Sequence, residues 1–184
     1  MSRRNSSQRD LATLVGLFYE SPVELGELIE TPASDVPREY ARLLVHEEHM
    51  TVAMEAYHES LVDVEVLQTA VTDTHYARKI VLRRQSDRAV VQFGIMRIRL
   101  AGLEDDVRRD IEGQKRPLGR ILVRHNILRT IHLDRLWRVT PGKELGKLFG
   151  LAQPRVTYGR TAGIDLDGNP AVELLEIVAP LEKA

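Results

Sequence analysis

Ala171-Val172-Glu173-Leu174-Leu175-Glu176-Ile177-Val178-Ala179-Pro180 is the stretch on which the reading of this chain turns. Side chains along a strand alternate between faces, so Val172, Leu174, Glu176 and Val178 share one side. Three of these four are aliphatic, which marks that side as core-facing and leaves Glu176 as a carboxylate held among hydrocarbon. Such a group needs a partner or a function. Just upstream, Asp167-Gly168-Asn169 has the chemistry of a tight turn and joins a strand over Arg155 to Leu166 to this one as a hairpin.

A second strand carries the same anomaly with the opposite sign. In Tyr76-Ala77-Arg78-Lys79-Ile80-Val81-Leu82, Arg78 is in phase with Tyr76, Ile80 and Leu82, while Lys79 points the other way. Three readings stay open. An inward Arg78 and Glu176 could face a ligand in one cavity, they could neutralise each other as a buried ion pair, or the inner faces could be the opposite ones and both charges solvated.

The 184 residues suit one domain with a sizeable core, and 43% hydrophobic with 29% charged is ordinary for a globular chain. With 26 basic against 27 acidic residues, net −1, there is no field to attract nucleic acid or an anionic membrane. The absence of cysteine removes disulfides, thiolate metal sites and a cysteine nucleophile, and fits a reducing compartment. No apolar run reaches the length of a membrane span and no signal-peptide pattern follows the N-terminal arginines, so a cytoplasmic protein is expected. Residues 1 to 10 are polar and read as a disordered tail ahead of a single domain over 11 to 184. No heptad pattern or long apolar stripe calls for a partner, and a monomer is expected.

The remaining pattern is helical first and stranded later. Leu11 to Tyr19 reads as a short helix ended by Ser21-Pro22. Val36, Tyr40, Leu43 and Leu44 are spaced as a helix stripe, and a second helix from about Met50 to Tyr57 makes a corner around Glu47-Glu48-His49-Met50-Thr51. Leu61 to Val71, Tyr76 to Leu82 and Ala89 to Leu100 form an antiparallel meander. Leu103, Val107 and Ile111 mark a helix ending at Gly113. A turn over Lys115-Arg116-Pro117 places Pro117 at a first helical position, with free backbone N–H groups suited to an anion. A strand over Ile127 to Val139, a helix over Pro141 to Gly150 and the terminal hairpin complete an α+β fold, an antiparallel sheet of about six strands with helices gathered on it.

Conventional motifs can be set aside. His46 and His49 in His46-Glu47-Glu48-His49 are spaced i, i+3 and not as in the zinc-binding His-Glu-x-x-His helix, and the glycine spacing fits neither a P-loop nor a dinucleotide fingerprint. No serine sits in a nucleophile-elbow setting.

Four pieces, taken in order, resemble the chorismate pyruvate-lyase (4-hydroxybenzoate synthase) family. They are Leu43-Leu44 with His49-Met50-Thr51, Tyr76 to Leu82, Pro117-Leu118-Gly119-Arg120-Ile121-Leu122, and Glu176-Ile177-Val178-Ala179-Pro180. The resemblance spans about Leu43 to Pro180. It implies helices on one face of the sheet and two helical flaps over a buried ligand. It also implies a lyase that splits chorismate into pyruvate and 4-hydroxybenzoate without cofactor or metal. Arg78 matches the arginine that binds the ring carboxylate, and Glu176 the glutamate at the hydroxyl end; these two are the candidate catalytic residues. Met50 and Leu118 match positions giving backbone contacts to the carboxylate, with Thr51 and Gly119 beside them in the substrate-binding set. Phe93-Gly94-Ile95-Met96-Arg97 fits the family's strand loosely and leaves the role of Arg97 open. The alternative is a non-catalytic domain that binds or senses a small aromatic acid, since the same general fold serves as the sensing domain of transcription regulators; residues 1 to 35 are too few for a DNA-binding domain of their own.

Overall fold

Asp167 and Gly168 take positive φ of 48° and 78°, the paired left-handed geometry that two-residue hairpins favour because it follows strand twist. They join β6 (Thr157–Leu166) to β7 (Asn169–Val178). The computed structural model describes residues 11–181, so the tail expected over residues 1 to 10 lies outside the described residues. Five further strands are β1 (Gly26–Glu30), β2 (Val62–Val71), β3 (His75–Arg84), β4 (Val90–Arg99) and β5 (Arg129–Pro141). All pair antiparallel in one sheet of order β1-β5-β6-β7-β4-β3-β2.

The sheet is two meanders, β2-β3-β4 and β5-β6-β7, closed along a seam where Gln92 to Ile98 of β4 meets Val172 to Val178 of β7. The α+β class expected from the sequence is present, with seven strands where about six were anticipated. The additional one, β1, is a five-residue edge strand paired to the far end of β5, from Gly26↔Pro141 to Glu30↔Trp137. Its Gly-Glu-Leu-Ile-Glu run is too short and too polar for alternation to register. Ser21-Pro22 opens a helical turn, α2 (Pro22–Leu25), where the sequence suggested a stop. The Ser21 backbone N–H donates to the Glu24 carboxylate at 2.9 Å and the Val23 N–H to the Ser21 hydroxyl at 3.4 Å, a capping box that starts a helix.

Both faces of the sheet are covered, where the resemblance implied helices on one, because the out-of-phase positions of the central strands are also aliphatic and need cover. One packs Val81, Phe93, Ile95, Leu175 and Ile177 against α1 (Leu11–Val15), α2 and α7 (Lys143–Leu148). The other, carrying Arg78 and Glu176, holds two apolar clusters. Tyr76, Met96, Ile98 and Leu174 pack beneath α5 (Asp105–Glu112) and α6 (Leu118–Arg124). Leu82, Val91, Leu136 and Val178 pack beneath α3 (Arg38–Leu44) and α4 (Met50–His58). Pro117 has φ −56° and ψ 143°, so it caps α6 from outside, and the first helical residue is Leu118. Among the described residues no helix is long and apolar enough to cross a membrane.

Candidate functional site

The boundary between the two apolar clusters is a belt of charge. On β3, Tyr76 belongs to one cluster and Leu82 to the other; on β7, Leu174 and Val178 divide in the same way. Arg78 and Glu176 fall between. Met96 opposes Arg78 on one side and Leu174 on the other, while Gly94 opposes both Ile80 and Glu176. Two strand spacings and two residues of rise therefore separate Arg78 from Glu176, about 12 Å between Cα atoms, with Gly94 and Met96 as the floor.

Arg78 is 1% exposed, and among the described residues it makes no ion pair. Its Nη2 donates to the Arg116 carbonyl at 3.3 Å; among the described residues its Nε and Nη1 meet no acceptor at hydrogen-bonding geometry, and the Tyr76 hydroxyl, two residues away on the same face, is the polar group beside it. Burial pulls the guanidinium pKa below the ordinary arginine value. A buried cation with open donor edges carries a desolvation cost that a carboxylate would relieve through a planar two-point contact.

Glu176, 8% exposed, has a different partner from the one considered on sequence grounds. Its Oε2 accepts from Nε of Arg160 at 2.8 Å, so the possible pairing of Arg78 with Glu176 does not form. Arg160 stands directly opposite Glu176 across the β6–β7 ladder and reaches it first. At 1% exposure, Arg160 also donates from Nη1 to the His46 carbonyl at 2.8 Å and from Nη2 to the Glu48 carbonyl at 3.0 Å, with a longer contact of 3.4 Å to the carbonyl of Leu44.

Those carbonyls belong to the corner between α3 and α4, which forms where the sequence placed it. Met50 and Thr51 start α4 and are buried; Leu118 and Gly119 start α6 and are buried. The two helix starts meet over the belt, and a Cβ on Gly119 would come within 2.8 Å of the His49 ring, so this approach requires glycine. Of the six candidate residues, Thr51 and Gly119 line one pocket of about 210 Å³; Met50 follows the corner whose Glu48 carbonyl accepts from Arg160, the partner of Glu176, and Leu118 follows Arg116 and Pro117, the Arg116 carbonyl accepting from Arg78. A cleft of about 670 Å³ opens between the corner and β5, lined in part by Glu47, His49, Val52 and Arg129, with buried Ile131 at its floor.

His49 acts as an acceptor here: its Nε2 receives the Arg129 Nε–H at 2.8 Å. Burial first, then the Arg129 and Arg160 charges, push its pKa down to about 4. Because the folded value lies below the unfolded value of about 6.5, the unfolded chain binds more protons between them. The contribution of His49 is therefore complete above pH 6.5 and is lost as pH falls toward 4. Chemical denaturation across that window should show a stability slope that His49→Gln reduces by something less than about 1.4 kcal/mol per pH unit, the value for one fully linked proton. An identical slope in both proteins would remove His49 from the acid response.

Arg160 is the participant the sequence reading did not single out. It is in phase with Tyr158, Ala162 and Ile164, the same inward-charge signal that marked Arg78. Arg97, left open, pairs with Glu173 on the opposite face and does not enter the site. Lys79 also faces away, 3.0 Å from Glu144 and over the Tyr19 ring. His46 presents Nδ1 to the Glu48 backbone N–H at 3.1 Å, and its Nε2 lies 2.7 Å from the Leu43 carbonyl, so both nitrogens serve the corner.

No protein-family model matches the chain, and no curated protein matches it. Among solved structures it is similar to the effector domain of PhnF from Mycobacterium smegmatis, with TM-score 0.50 and 11% identity over 71% of this chain and 88% of that one. It is also similar to PhnF itself, with TM-score 0.52 and 12% identity over 75% of this chain and 66% of the other. A possible transcriptional regulator, YydK from Bacillus subtilis, aligns at TM-score 0.45 and 12% identity over 64% of this chain. The chain spans 57% of the length of YydK and 66% of PhnF. At these identities the likeness is one of fold: an antiparallel sheet with covering helices of the kind found in the PhnF effector domain.

Proposed function

We propose that the chain binds a small aromatic acid, with the carboxylate of the ligand on Arg78 and a hydroxyl or similar donor toward Glu176. The observation that carries this reading is the fully buried Arg78 guanidinium with two open donor groups. The PhnF effector domain lends support only through its shared fold. Glu176, already accepting from Arg160, has its second oxygen for a ligand donor. Binding to the native state alone raises stability by about 2.7 kcal/mol at a ligand concentration one hundred times Kd. Thermal unfolding with 4-hydroxybenzoate should therefore shift upward with concentration, while 4-hydroxybenzyl alcohol, which lacks the carboxylate, should do little. Equal shifts from both, or none from either, would overturn the reading.

A second reading is catalytic, and the placement of Arg78 and Glu176 on one face at opposite ends of the belt favours it. Elimination from chorismate breaks the ether C–O bond and gives up the adjacent ring hydrogen, dividing the atoms of the substrate between pyruvate and 4-hydroxybenzoate with nothing added. The residues would act by positioning the dianion and stabilising the developing charge. Release of pyruvate from chorismate by the pure protein decides between lyase and binder.

A further inference from the structure

Arg160 uses its guanidinium in two directions. Nε holds Glu176 on the neighbouring strand, and the two Nη groups hold the His46 and Glu48 carbonyls of the corner. His46 adds a contact of 3.4 Å from its ring to the same Nη1. These carbonyls lie in the segment between the end of α3 at Leu44 and the start of α4 at Met50, which has few backbone hydrogen bonds of its own. Arg160 therefore holds two carbonyls of the corner over the sheet, beside the separate tie from His49 to Arg129 of β5, and the orientation of the Arg160 side chain is set by the Glu176 carboxylate. A guanidinium can do this because its five N–H groups lie in one rigid plane; an ammonium can keep the ion pair but cannot span the carbonyls.

We propose that Arg160 is a positioning residue that ties the corner over the site to the carboxylate of Glu176, so that a ligand engaging Glu176 is felt by the corner through Arg160. The mechanical part of the claim concerns the free protein. Its functional meaning rests on the proposed binding of an aromatic acid, and the two parts fail separately.

Amide hydrogen exchange in the free protein tests it. The informative amides are those of Val45, bonded to the Ala41 carbonyl at 2.9 Å, Glu48, bonded to the His46 ring, and Val52, bonded to the His49 carbonyl at 3.0 Å. Arg160→Lys, which keeps the charge pair, and Glu176→Gln, which keeps the shape, should each speed exchange at these amides about tenfold or more. Amides of the β6–β7 ladder and of α6 should keep their protection. Unchanged corner exchange in Arg160→Lys would overturn the proposal. Loss of protection spread evenly over β6 and β7 would also overturn it, because that is the response of an ion pair that only stabilises the sheet. In the second arm, 4-hydroxybenzoate should slow corner exchange in the native protein and not in Arg160→Lys. Slowing to the same degree in both would break the link through Arg160, whereas absence of binding to the native protein would refute the ligand reading and leave the free-protein result standing.

Discussion

Arg78→Met is expected to give a protein that is more stable than the native one and has lost its affinity for aromatic carboxylates. The native guanidinium is out of water with one hydrogen bond, to the Arg116 carbonyl, and two donor groups unmet. Replacing even a buried ion pair with apolar side chains of similar volume is often neutral or gains about 1 to 4 kcal/mol, and a lone buried guanidinium with donors unmet has less compensation to lose. In a domain of this size that corresponds to a rise of several degrees in Tm. A group that costs stability and is nevertheless held by the fold has the profile of a binding residue. Calorimetric titration with 4-hydroxybenzoate beside urea unfolding checks both halves. A destabilised Arg78→Met protein would mean that the cation is compensated within the chain, and the case for a carboxylate ligand there would fall.

Glu176→Ala should move in the opposite direction. It strands Arg160, buried and with carbonyls as its remaining acceptors, and breaking a buried pair in this way costs about 3 to 5 kcal/mol. The double variant Arg160→Met with Glu176→Leu should recover most of that loss, since it removes both charges and fills their volume. Unfolding free energies of the native protein, Arg160→Met, Glu176→Leu and the double variant form a cycle whose coupling measures the pair. If Glu176→Ala is as stable as the native protein, the Arg160–Glu176 contact is not an energetic one. The contrast with Arg78 is itself informative: one buried arginine is expected to cost stability and the other to provide it.

Much of the architecture was legible because it rests on local signals. The β2-β3-β4 meander, the helix ending at Gly113, the corner near His49 and the Asp167-Gly168 hairpin all follow from period-two alternation, helix stripes and turn chemistry. β1 escaped because five residues at a sheet edge carry no periodic signal, and α2 because a proline after serine starts a helix as readily as it stops one. The inward charges Arg78 and Glu176 were legible from strand phase alone, whereas the partner of Glu176 was not. Counting back from the two-residue turn sets Asp165 opposite Pro170 and would leave Arg160 facing Leu175. An irregularity between Ile164 and Asp165 shifts the ladder by one residue and brings Arg160 opposite Glu176. No rule based on composition announces that shift. The pairing of His49 with Arg129 was hidden for a similar reason, since 80 positions of chain separate the two.

The seam between the two meanders gives the site an unusual dependence on chain order. Arg78 comes from the first meander, Glu176 and Arg160 from the second, and they share one face of one sheet only after β4 and β7 have paired. Within the meanders, neighbouring strands meet after short turns, except that β5 reaches β6 through the connection that carries α7. The seam joins Gln92 to Val178 and closes a longer stretch of chain than any pairing within either meander. A fragment holding either half could keep its own hairpins, yet it would own one end of the charged belt and nothing for that end to act upon. Recognition in this fold is a property of the closed seam, and whatever opens the seam dismantles the site before any strand is lost.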